Sequence, residues 1–372
     1  MNVEEITMDT VYYSVINNDF KLLKDLEEKG VDILAENSKA FLLACEYGHF
    51  RIVEYLLDKG ANINATVDFD PIPTEYSLFG NALSLSISNN TWLVFEYLLE
   101  KSIKVDLDNS FALKRLASIN DIYRAKELIR RGANVNDSEA LSVAVIDNNW
   151  DFVKYLLTET DADIHADNDF ALRSICLKGN LELIELLLEK GADVNAIPSI
   201  LQDIDDYGFN ETALTCSIAG EQWETFNYLL ENGADPNINN QEPFIQACIL
   251  DGYNPMFGKV VSYYLKKELV VFNNKVFDAV VKAPHLDLLK YFLNEYPHKD
   301  IDEKSLLQNE SIYKYDRAEI FDYLLGEGYE LTQETRDMLV KENKDKFLSI
   351  LMKYDLSEEL SVKEEKSKRM KV

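Results

Sequence analysis

The feature that most restricts how this chain can fold is a short helix motif that keeps returning. "FRIVEYLLDKG" (50–60) recurs as "FKLLKDLEEKG" (20–30), "WLVFEYLLEKS" (92–102) and "IYRAKELIRRG" (122–132). It returns again as "WDFVKYLLTET" (150–160), "LELIELLLEKG" (181–191) and "WETFNYLLENG" (223–233). Three weaker copies, "KVVSYYLKKE" (259–268), "LDLLKYFLNE" (286–295) and "AEIFDYLLGEG" (318–328), bring the number to ten. Apolar residues fall at helical spacing in each. Most copies stop at a glycine, the residue that accepts the left-handed conformation ending a helix. The interval from Gly30 to Gly60 equals that from Ser102 to Gly132, so the copies keep a register.

A second, smaller helix precedes each copy, as in "AFLLACEYG" (40–48), "EALSVAVIDN" (139–148), "FALRSICLKG" (170–179) and "TALTCSIAG" (212–220). Small or polar pairs such as Gly48-His49, Asn148-Asn149 and Gly179-Asn180 separate the two, which suits a tight helix–helix turn. A helix pair that is apolar on two sides cannot bury itself, but stacked neighbours bury one another. The chain of 372 residues is therefore expected to be an all-α solenoid of about ten to eleven stacked helix-turn-helix repeats.

The repeat register also gives the unusual residues a plain reading. Trp92, Trp150 and Trp223 all stand at the first position of the second helix, where Phe20, Phe50, Ile122, Leu181 and Leu286 stand in other copies. Packing between repeats explains them without a ligand. Cys45, Cys176 and Cys248 share one position of the first helix, and Cys216 lies in the same kind of helix. They are expected to be small buried core residues. The recurrent tyrosines of "YLL" (Tyr55, Tyr97, Tyr155, Tyr228, Tyr291, Tyr323) are expected to pack their rings and keep the hydroxyl near water.

Helix, turn, helix and then "GANINA" (60–65) or "GADVNA" (191–196) resembles the ankyrin repeat. The short form "ADNDFALRSICLKGNLELIELLLEKGADVNA" (166–196) is most similar to the ankyrin proteins that large DNA viruses encode. The resemblance covers about residues 8–333 and fades after about 250. The family's Thr-Pro-Leu-His motif is never complete, the nearest approaches being Asn81-Ala82-Leu83-Ser84 and Thr212-Ala213-Leu214-Thr215. Most units are also shorter than the family's usual repeat, as if the hairpin finger between repeats had been trimmed. The resemblance also implies that the asparagine of "VNA" can be a hydroxylation target. The matching positions are Asn64, Asn136, Asn195 and Asn237, and turn closure is the simpler role for each.

Two intervals are longer than the rest, and by the same amount. They run from Gly60 to Ser102 and from Gly191 to Gly233, with the excess in "TVDFDPIPTEYSLFG" (66–80) and "IPSILQDIDDYGFNE" (197–211). Equal insertions at one repeat position, both acidic and both aromatic, are more often functional than idle. Phe69, Tyr76, Phe79, Tyr207 and Phe209 are the expected apolar anchors for a partner. Asp68, Asp70, Asp203, Asp205 and Asp206 would steer a basic surface.

Composition narrows the rest. Sixty-six acidic against 38 basic side chains give a net charge of −28, which disfavours nucleic acid and anionic membrane as partners. No apolar run is long enough for a membrane span, and "MNVEEITMDT" lacks the pattern of a signal peptide. No CxxC pair, phosphate loop, GxSxG or HExxH motif occurs, so no metal, cofactor or catalytic residue is expected. An intracellular, cytoplasmic, monomeric protein is the expectation, in a host cell if the chain is viral.

The domain reading places the repeat array at 1–333, a capping helix pair at 334–355 and a disordered charged tail at 356–372. The expected function is a non-enzymatic protein–protein interaction scaffold. The alternative is a substrate adaptor of a ubiquitin ligase with a cryptic ligase-binding region in the divergent stretch 250–355.

Overall fold

The computed structural model describes residues 8–67, 80–101, 103–105, 111–136, 139–198, 212–249, 255–282, 285–296 and 299–356. They fall into two compact units, Met1–Ala171 with Glu189–Ala192, and Leu172–Leu188 with Asp193–Val372.

Unit 1 holds five helix pairs. They are α1 Met8–Ile16 with α2 Phe20–Glu28, α3 Ala35–Glu46 with α4 Phe50–Asp58, α5 Ala82–Ser88 with α6 Trp92–Glu100, α7 Phe111–Ser118 with α8 Ile122–Arg130, and α9 Ala140–Ile146 with α10 Trp150–Glu159. The sixth pair, α11 Ala166–Lys178 with α12 Leu181–Glu189, lies mostly in unit 2. Five more follow there. They are α13 Ala213–Ala219 with α14 Trp223–Glu231, α15 Ile238–Ile249 with α16 Pro255–Lys266, α17 Asn274–Lys282 with α18 Leu286–Asn294, α19 Glu310–Lys314 with α20 Ala318–Gly326, and α21 Gln333–Lys341 with α22 over 345–356. The pattern weakens after residue 250, yet helix pairing continues through it.

Within each unit the first helices form an inner row. In unit 1, α1 packs on α3, α3 on α5, α5 on α7 and α7 on α9. In unit 2, α13 packs on α15, α15 on α17 and α17 on α19. Small residues make this close row possible. Ala40, Ala44 and Cys45 are fully buried in α3, as are Ala140 and Ala144 in α9. Gly220 shows how close the approach becomes, since a Cβ there would stand 1.9 Å from the Leu177 carbonyl oxygen. The second helices are amphipathic and turn one face inward: Ile52, Val53 and Leu56 of α4 are fully buried.

Left-handed backbone supplies both stops and turns. Gly60 ends its helix at φ 95°, and the inner-to-outer turns place Gly48, Asn90, Asn120 and Asn148 at positive φ. A third use is less ordinary. Asp167, Asn168 and Asp169 are consecutively left-handed at the start of α11, and Asn239, Asn240 and Gln241 repeat this in α15. Both triplets stand where one helix pair passes into the next. Asn and Asp tolerate αL because their short polar side chains can hydrogen-bond locally.

Among the described residues, four dipeptide strands interrupt the helices. β1 Thr66–Val67 pairs antiparallel with β2 Gly80–Asn81, and β3 Phe272–Asn273 pairs parallel with β4 Lys299–Asp300. A 3-10 turn, Glu303–Gln308, precedes α19.

Candidate partner-binding surface

The asparagines that follow the outer helices form ties between successive connections. Asn64 Oδ1 accepts the Lys104 amide at 2.9 Å, one repeat on. Asn136 accepts from the Asp163 amide at 2.7 Å, and its Nδ2 donates to the Asp161 carbonyl at 3.2 Å. Asn195 does the same in unit 2, accepting from Asp235 at 2.8 Å and donating to the Gly233 carbonyl at 3.0 Å. Each side chain therefore satisfies the backbone of its neighbour's connection. The Asn237 amide donates to Asp235 Oδ1 at 2.8 Å, closing its own turn.

A second row of ties lies at the inner-to-outer turn, where the residue before the outer helix reaches back one repeat. His49 Nε2 lies 3.0 Å from the Ile16 carbonyl, and Thr91 Oγ1 donates to the Cys45 carbonyl at 3.0 Å. Asn149 Nδ2 donates to the Ala117 carbonyl at 2.7 Å, and Arg317 Nε to the Val281 carbonyl at 3.0 Å. At the same position Asp19 and Asp121 cap their own helices, accepting from Leu22 and Arg124. Sequence reasoning missed this row. Its signal was present as a polar residue just ahead of the large first residue of most outer helices.

The large first residues are half-buried platforms. The Arg124 guanidinium lies 3.8 Å from the Trp92 ring centroid, and Arg51 lies 4.3 Å from that of Phe20. Lys259 sits 5.4 Å over Trp223. In each case the cation comes from the next outer helix, so the residue packs between repeats and also seats a charge. The recurrent tyrosines fill the step beside it. Phe20 meets Tyr55 and Phe50 meets Tyr97 edge to face, at 5.1 and 4.9 Å. The Tyr55 hydroxyl donates to Glu27, and Lys59 pairs with the same carboxylate at 2.6 Å. That lysine, with the hydroxyl second, holds Glu27 below the usual carboxylate range. Tyr155 departs from the expected wet hydroxyl, for it is buried and its phenol is pushed up by desolvation.

Cys45, Cys176, Cys216 and Cys248 are free thiols, all buried. Desolvation drives Cys45 and Cys176 well above the usual thiol range, so these two remain protonated and unreactive at neutral pH. Among the described residues, no group of three or more His, Cys, Asp or Glu side chains converges to hold a metal ion. No described helix is long and apolar enough to cross a membrane.

The expected anchors Asp68, Phe69, Asp70, Tyr76, Phe79, Asp203, Asp205, Asp206, Tyr207 and Phe209 lie outside the described residues, as does almost all of the tail at 356–372. What is described is where the two insertions leave and re-enter. Thr66 pairs with Asn81 and Val67 with Gly80, which brings the ends of the first insertion together. Asn81 then caps α5 in a reciprocal box with Ser84, both bonds at 3.0 Å. The second insertion re-enters at Thr212, whose hydroxyl accepts the Thr215 amide at the start of α13.

Comparison with known proteins agrees with this architecture. Ankyrin-repeat models match residues 40–68, 113–197 and 143–240, the latter two with a three-copy form. Residues 40–68 and 113–240 carry ankyrin repeats, and within each unit the helix pairs stack in the all-α, ankyrin-type manner. An ankyrin repeat protein of Acanthamoeba polyphaga mimivirus is 23% identical over 353 residues, covering 89% of this chain and 49% of that protein. L-asparaginase of Dirofilaria immitis is 27% identical over 187 residues, covering 47% of this chain and 30% of that enzyme. The chain thus spans about half, or less, of the length of these relatives. The human ASB11 ankyrin repeat domain superposes with a TM-score of 0.44 at 21% identity, covering 61% of this chain and 98% of that one.

Proposed function

We propose that this chain is a non-enzymatic scaffold that engages a protein with a basic surface through its two long insertions. The observation that carries the reading is the pair of acidic and aromatic insertions, equal in length, in an array otherwise trimmed to its shortest connections. The paired stem of the first insertion supports it. β1 and β2 pair Thr66 with Asn81 and Val67 with Gly80, so the described residues that flank this insertion are held together. Asp68 and Asp70 there, with Asp203, Asp205 and Asp206 in the second insertion, supply the steering charge. Tyr207 and Phe209 supply apolar contact.

The domain reading goes with it. The array over 1–333 is the scaffold, and α21 with α22, which spans the expected 334–355 region, acts as its cap. Asn64, Asn136, Asn195 and Asn237 are the positions where asparaginyl hydroxylation would fall. A +16 peptide mass after co-expression with such a hydroxylase is the expected sign of it. The bridging bonds of Asn64, Asn136 and Asn195 would have to open for the enzyme to reach them.

The test is affinity capture from a host extract with the intact chain and with a chain whose residues 68–79 and 199–209 are replaced by short Gly-Ser links. Circular dichroism must first show both folded. A partner retained by the intact chain alone, and released as salt rises, is the expected result. Equal capture by both chains would overturn the role of the insertions. Ubiquitin-ligase subunits held by residues 250–355 would favour the adaptor alternative.

A further inference from the structure

The repeat supplies its own control for what an outer helix normally shows to solvent. Its second position is charged in most copies, as at Lys21, Arg51, Asp151, Glu182, Glu224 and Glu319. In α6 and α8 it is Leu93 and Tyr123, and these are 67% and 79% exposed, the largest values among the exposed large apolar residues described. No packing demand accounts for them, because the other copies fold with a charge in that place. The two helices are adjacent, joined by Arg124, which stacks on Trp92 and lies 3.6 Å from Glu96. Neighbouring helices lie about 10 Å apart, so Leu93 and Tyr123 can be covered by one bound segment.

Tyr123 also borders a groove of about 420 Å³ whose wall includes Phe95, Lys126, Glu127 and Arg130. Its charge runs against that of the chain. Residues 111–132 hold six Lys and Arg side chains against two acidic ones, in a protein of net charge −28. Several of these cations are answered from outside the segment: Lys114 by Glu139, Lys126 by Glu159 and Arg124 by Glu96. Among the described residues, Arg130 and Arg131 are not fully answered. Both bind the single carboxylate of Glu127, at 2.8 and 2.6 Å, which leaves one positive charge in excess. The Arg130 side chain is 71% exposed. Tyrosine and arginine are among the residues that most often carry binding energy at protein interfaces.

We propose that the outer face of α6 and α8 is a second docking surface, for a protein segment in which an apolar side chain is flanked by carboxylates. The apolar side chain covers Leu93 and Tyr123, and a carboxylate takes the guanidinium of Arg130. This face prefers the charge opposite to that preferred by the acidic insertions, so the chain can hold two unlike partners at once.

The test uses the full chain and a phage-displayed random peptide library. Enrichment of sequences pairing Leu, Ile or Phe with Asp or Glu is the expected outcome. The enriched peptides, made synthetically, should bind at least ten-fold more weakly to Tyr123→Ala and to Arg130→Glu. Tyr13→Ala, an exposed control elsewhere, should leave binding unchanged. Replacing both insertions should also leave it unchanged, which separates this surface from the function proposed above. Enrichment of basic peptides, no enrichment above that of the Tyr123→Ala chain, or equal affinity across the variants would overturn it. So would a concentration-dependent dimer that dissolves in Tyr123→Ala, since that assigns the face to a second copy of the chain.

Discussion

Glu127 shows how much one side chain can be asked to do in an acidic repeat protein. It lies in α8 beneath Arg130 and Arg131, and hydrogen bonds from Arg130 first and Arg131 second lower its carboxyl from 4.5 to about 2. A carboxylate depressed on folding stabilises the protein fully above its unfolded pKa. That contribution is lost as pH falls through the folded one. The window is therefore pH 4.5 down to about 2. Urea titrations of the intact chain and of Glu127→Gln should differ most near pH 6 and converge as the pH approaches 2. Added salt should shrink the difference at pH 6, because the site is open to solvent. A difference that stays constant across that range would mean the pair contributes nothing that titrates.

At the scale of elements, the connections rather than the helices distinguish this array. The outer helices follow from apolar spacing and a glycine stop, and both were legible in the sequence. The ties between connections were only partly so. Asn195 was visible as a turn residue, but not as the side chain that holds the next turn by two bonds, to Gly233 and Asp235. Asn195→Ala should therefore lower stability by about 1–2 kcal/mol, the net worth of one or two partly exposed hydrogen bonds, measured by denaturant unfolding. Asn237→Ala, at a position whose backbone amide closes its own turn, should cost less. The left-handed triplet Asp167-Asn168-Asp169 was not legible. Nothing in "ADND" itself says that three successive residues adopt positive φ, because Asn and Asp are equally at home in an ordinary turn. The strand pairs at Thr66–Val67 and Phe272–Asn273 were not legible at all. Two residues carry no alternation, and their partners are set by where the connections happen to meet.

For the molecule as a whole, charge is the quantity to test. A net charge of −28 spread over stacked repeats repels itself, and screening relieves that repulsion over a Debye length of about 10 Å at 0.1 M salt. The thermal midpoint should rise by several degrees between 10 mM and 200 mM sodium chloride. A midpoint that stays level or falls would mean that pairs such as Lys114–Glu139 and Lys126–Glu159 outweigh the general repulsion. The sequence by itself determined the repeat, its helix pairs and the buried place of the cysteines, because each of these follows from periodicity along one chain. Only the tertiary structure decided which polar side chains bridge repeats, that Trp92 and Trp223 seat cations while they pack, and that Leu93 and Tyr123 stand out in solvent. Those properties depend on which neighbour lies across the interface, a whole repeat away along the chain, and no local pattern records that.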